Sequence, residues 1–189
     1  TLCMFRAAPF FRAYLESLGA EVVFSPYTSE SMWREGARHG ANDPCFPVKV
    51  TLAHVHHLLY RVHDRGAPLD ALFVPHFTHA VTAVRHVADS ASCPVVTAAP
   101  LLVQSAFGAP GGELERRRIE LLAPVVTITR RDRIGDQMYE GFAKRFGRSR
   151  ADSDGAVAAG FEALEQIDAQ LVSRGREVLD GVEAGRWPS

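Results

Sequence analysis

The chain is poor in cysteine, with Cys3, Cys45 and Cys93 the only three in 189 residues. Their number is odd, their spacing is wide and no CxxC occurs. That excludes zinc-finger and thioredoxin patterns and argues against a disulfide framework at this size. A reducing cytoplasm is the compartment such sparse cysteine suggests. Lysine is scarcer still: Lys49 and Lys144 stand alone against nineteen arginines. No excess of either charge exists, with Lys+Arg 21 against Asp+Glu 22 and a net charge of −1. Nothing therefore calls for nucleic acid as a partner, although a local basic pocket for a small anion stays compatible. No apolar run approaches the roughly 18 residues that cross a bilayer, and "TLCMFRAAPFF" is not a signal peptide. The glycine-rich nucleotide loops, the GxSxG elbow and the HExxH helix are all missing.

What is present is a sequence of which 47% is hydrophobic, enough to bury one core. Four short apolar runs read as buried strands: "EVVFSP", "ALFVPHF", "CPVVTAAP" and "APVVTIT". Helical patterns lie between them. "PFFRAYLESLG" has Pro9 early and Gly19 just past its end. Residues 29–39 form a short helix capped by Ser29, and residues 48–65 a longer one stopped by Gly66. "LLVQSAF" gives one or two turns, and 108–112 is a loop. Alternating strands and helices predict an α/β fold, a doubly wound parallel sheet with flanking helices. Cys3 then falls in the core of a first strand. Residues 1–150 make up this subdomain, and 151–189 a long C-terminal amphipathic helix. Its stripe is Val157, Phe161, Leu164, Ile167, Leu171, Val178 and Val182, packing on the subdomain's own sheet or on a partner domain. Gly175 invites a bend. The first residue, Thr1, and the ending "GRWPS" suggest part of a larger protein.

The chemistry concentrates at "ANDPCFPVKVTLAHVHHLL", residues 41–59. Pro47 suits the first turn of a helix, which puts Cys45 at or just before the N-cap. Free N–H groups and the positive end of the helix dipole favour a thiolate at such a place. Cys45 is a ligand or nucleophile there, or a small residue in a stiff turn. Lys49 opposes the dipole, and reads as an anion contact or as a solvated charge. Seven of eight histidines lie between His54 and His86, mostly as packing residues on a helix. His76 is set apart because it ends "ALFVPHF", at the sheet edge where ligands bind. Cys93, at the start of its strand, falls on the opposite edge, about 13 Å away. One metal could not then join Cys45, His76 and Cys93 unless that strand is misread. Asp43 and Glu35 fix no dyad with Cys45 or His39.

The order of these motifs resembles the activase-related proteins of the 2-hydroxyacyl-CoA dehydratase and benzoyl-CoA reductase group. "PFFRAYLESLGAEVVFSP", "PCFPVKVTLAHVHHLL", "LDALFVPHF", "CPVVTAAPLLVQSAF" and "IELLAPVVTITRRDRIGDQMYEGFAKRFG" carry the likeness over nearly the whole chain. The resemblance implies a doubly wound subdomain of a modular cytoplasmic protein, without the ATPase domain. It also implies a 4Fe-4S cluster serving electron transfer or radical dehydration of an acyl-CoA. Cys45, Pro47 and Lys49 match the group's Cys-x-Pro-x-Lys element, and Cys93 its Cys-Pro. A cluster usually takes four ligands, so the rest would come from His76, a non-protein group, or other domains or subunits. A redox partner is implied as well. A non-catalytic docking module and a mononuclear zinc site are the rival readings.

Overall fold

The computed structural model describes residues 2–40, 45–80 and 90–186; Asp43 and His86 lie outside them. The first element is a helix, α1 (Leu2–Ser17), which runs through Pro9. Cys3 therefore sits in a helix and not in a strand. The bond that Pro9 cannot make would have gone to the carbonyl of Phe5, on an exposed turn. Gly19 adopts φ +86°. This left-handed residue lets its N–H reach Glu16 O (2.9 Å) and the Ala20 N–H reach Leu15 O (3.0 Å), closing the helix.

The stretch 21–26 that follows, with its two valines, is irregular and pairs with no strand among the described residues. Val23 and Phe24 are exposed. β-branched residues favour extended backbone, but only a neighbouring edge makes it a strand. Helix α2 (Glu30–Gly36) is capped by Ser29, whose hydroxyl accepts from the Met32 N–H at 3.2 Å. A 3₁₀ turn, Ala37–His39, continues it. Helix α3 (Phe46–His57) runs on through a π-helical segment, Leu58–Val62, and a 3₁₀ turn, and Gly66 ends it at φ +102°.

"ALFVPHF" becomes two strands, β1 (Ala71–Phe73) and β2 (His76–His79), because Pro75 interrupts the ladder. β1 pairs in parallel with β3 (Glu120–Leu122), and β2 with β4 (Val125–Thr127). β3 comes from "IELL", which pattern alone left unassigned. The stretch 93–100 is helical: α4 (Pro94–Thr97) and α5 (Ala99–Phe107). Pro94 and Pro100 each stand in a first turn, where a missing N–H is harmless. The fold is thus mixed α/β with two short parallel pairs. A doubly wound sheet is not what the described residues form.

After α6 (Glu113–Arg117) and the second strand of each pair come α7 (Arg131–Gly141) and α8 (Arg150–Glu183). Ser149 and Asp152 form a reciprocal capping box at the start of α8, and the helix passes through Gly175 unbroken. Two apolar clusters share the strands. Phe10, Phe11 and Tyr14 of α1 meet Phe77, Val126, Met138 and Phe161 in one. Leu52 and Val55 of α3 meet Leu72, Val103 and Phe107 in the other. The long helix therefore packs on α1 and α7, with Gly160 against the Phe10 ring.

Candidate functional site

The N-terminus of α3 is assembled by the helices around it. Cys45 is its N-cap, with extended backbone (φ −163°, ψ 157°) and no side-chain capping bond of its own. Its thiol is half-buried and in no disulfide. The Cys45 carbonyl accepts from the Val48 N–H at 3.2 Å, and Pro47 stands in the first turn as its ring geometry favours. Lys49 is half-buried one residue beyond Val48. Phe46 lies on the ring of Trp33 from α2, with centroids 6.0 Å apart.

Helix α2 crosses α3 closely because Gly36 has no side chain: a Cβ there would lie 2.2 Å from Ala53 Cα. Three polar links fasten α3 and its continuation to α2, to the turn after it and to the stretch before it. Arg61 donates to both carboxylate oxygens of Glu35, at 2.7 and 3.1 Å, which holds the Glu35 carboxyl below the usual carboxylate range. His39 Nε2 meets His56 Nδ1 at 2.8 Å, so one ring must donate and the other accept. Burial lowers the pKa of both rings, and Arg38 adds to it. Tyr60 stacks on His56 (4.4 Å) and Phe107 packs against His39 (4.8 Å). Third, His54 takes hydroxyls at both nitrogens, Ser25 at 2.7 Å and Thr28 at 2.9 Å. His39 was not distinguished by the sequence. Its signal was only a polar ring near the end of a short capped helix.

The other expected ligands lie elsewhere. His76 opens β2 instead of ending a strand, and its Nδ1 is 2.8 Å from Thr97 O at the end of α4. Cys93 is the exposed N-cap of that same one-turn helix. His76 and Cys93 thus flank α4, about 6 Å of helix rise, not opposite edges of a sheet. Ser92 beside Cys93 approaches the Cys3 sulfur at 3.8 Å. Among the described residues, no three or more His, Cys, Asp or Glu side chains come together in a way that could hold a metal ion.

A family pattern described as CoA enzyme activase uncharacterised domain (DUF2229) matches residues 1–188. The chain belongs to this family. No curated protein and no solved structure matches it. The family description agrees with the activase-related likeness read from the motif order. No described helix of this activase-related domain is long and apolar enough to cross a membrane.

Proposed function

We propose that this domain works within a larger activase-type protein and supplies part, not all, of an iron–sulfur site. The observation that carries the reading is Cys45: a half-buried thiol at the N-cap of a twelve-residue helix, engaged in no capping bond. Soft thiolates are the donors iron–sulfur clusters take. The residues fit a partial set only. Cys45 is the primary ligand, while Pro47 stiffens the entrance; Cys93, the exposed N-cap of α4, and His76 form no metal-holding group with it among the described residues. Lys49 offsets negative charge near the entrance. The remaining ligands belong to other domains or a partner subunit.

Such a cluster, when bound, supplies one-electron chemistry for the dehydration of an acyl-CoA. The chain's own part is to hold the thiol in a fixed position. The links from α2 to α3 do that by locking the helix whose first residue follows Cys45. The test is anaerobic reconstitution of the full-length protein with iron and sulfide counted. Cys45→Ala is expected to lose most of the cluster load and its visible absorption. Equal, full loads in both proteins would remove Cys45 from the ligand set.

A second reading is a docking module with no cofactor of its own. The far half of α8 favours it, since Leu171, Val172, Val178 and Leu179 are exposed there. It predicts a colourless reconstituted protein whose association with the remaining domains fails when these residues are made polar.

A further inference from the structure

A cavity of about 740 Å³ runs beside α1 and reaches the first turn of α3. Its lining extends from Cys3 and Met4 through Phe11 and Leu15 to Gly19. Those positions cover nearly the full helix, about 24 Å at 1.5 Å per residue. β1 and the segment Val74–Pro75 line it as well, and α3 contributes Val48 and Val55. The irregular stretch 20–25 lines it too. That stretch is held at one end by the Gly19 turn and at the other by Ser25 on His54. The His54 ring is held neutral at pH 7, since burial and its charged surroundings bring its pKa to about 4. The His54 side chain thus brings no charge of its own to the α3 side of the cavity.

Charge appears at the Gly19 end. Arg148 is the only lysine or arginine in the described lining, and its Nη2 lies 3.2 Å from where a Gly19 Cβ would be. Its guanidinium is exposed and makes no ion pair among the described residues. Glu21 and Asp70 also belong to the lining, so the cation is local and not a broad basic patch. An apolar space laid along α1 that ends at a guanidinium without an ion pair among the described residues suits a linear amphiphile better than a compact ring system.

We propose that this cavity binds a medium-chain carboxylate, with its alkyl chain laid along α1 and its carboxylate paired to Arg148. Binding is measured by calorimetry on the full chain, with hexanoate, octanoate and decanoate as probes and decanol as the uncharged control. Each buried CH₂ contributes about 0.8 kcal/mol, so affinity should rise about fourfold per methylene. Arg148→Gln should weaken decanoate about tenfold or more, the size of a lost charged hydrogen bond, and leave decanol unchanged. Val22→Trp, which adds bulk at the lining stretch, should abolish saturable binding of both. Absence of saturable decanoate binding, or an affinity flat across the chain-length series, overturns the proposal without needing any variant to fold. Equal loss of decanoate and decanol in a folded Arg148→Gln overturns the placement of the carboxylate.

Discussion

Tyr14 puts a hydroxyl inside the aromatic cluster where α1 meets α7 and α8. It is fully buried, 2.9 Å from Ser153 Oγ and 3.2 Å from Met138 O. The Met138 carbonyl keeps its helix partner, the Phe142 N–H, but Ser153 is itself 0% exposed and its hydroxyl has no other hydrogen bond to fall back on among the described residues. Tyr14→Phe should therefore cost about 1–2 kcal/mol, read as a lower urea midpoint at unchanged slope. A midpoint that does not move would mean that Ser153 finds another partner. His54 offers a pH-dependent counterpart. Its folded pKa of about 4 lies below the unfolded value of 6.5. The unfolded chain therefore takes up the proton first as pH falls. Stability from this ring is intact above pH 6.5, declines as pH drops toward 4, and is level below that. Solvent at the half-buried ring moderates the effect to about 1–2 kcal/mol. His54→Gln should flatten that part of a stability–pH profile, and an unchanged slope would assign the slope to His39 and His56.

At the scale of elements, two glycines of α8 have opposite meanings. A Cβ on Gly160 would lie 2.7 Å from the Phe10 ring and 3.0 Å from Phe10 O. Phe10 is fully buried and cannot swing away. Gly160→Ala is expected to destabilise by about 1–3 kcal/mol through overpacking. Gly175 faces open space, with no atom within 4 Å, so Gly175→Ala should stabilise by up to about 1 kcal/mol from helix propensity alone. Thermal melts of the two variants check the pair, and shifts of the same sign would refute the contrast. Helix punctuation of this kind was legible in the sequence: Ser29, Gly19, Gly66 and Pro47 sit where capping rules put them. Strands were less so. Val, Ile and Thr mark a preference for extended backbone, but whether 21–26 pairs depends on an edge supplied elsewhere in the chain. At 93–100 the two prolines outweighed the β-branched residues, because a proline that starts a helix reads locally like one that bounds a strand. The Cys45 entrance needed only local rules and was found. The flanking of α4 by His76 and Cys93 followed from the misread strand and was not.

Across the whole molecule, α8 joins two environments. Its first half is built into the fold by Ala156, Phe161 and Leu164, and by Arg6 of α1 on Asp168 at 2.9 Å. From Leu171 to Leu179 the same apolar period continues largely without cover: Leu171 is 60% exposed, against 6% for Leu164. The periodicity in the sequence was real along its full length, but a period states only which face is apolar, not what lies against it. The two leucines separate those meanings. Leu164→Ala removes buried methyl groups and should cost about 2–4 kcal/mol. Leu171→Ala, on an open turn, should change stability by no more than about 0.5 kcal/mol. Both are measured by denaturant unfolding of the chain at several protein concentrations. A cost above 1 kcal/mol for Leu171→Ala, growing with concentration, would show that a second copy covers the far half of α8. A small and concentration-independent cost leaves that face free for the other domains of an activase-type protein.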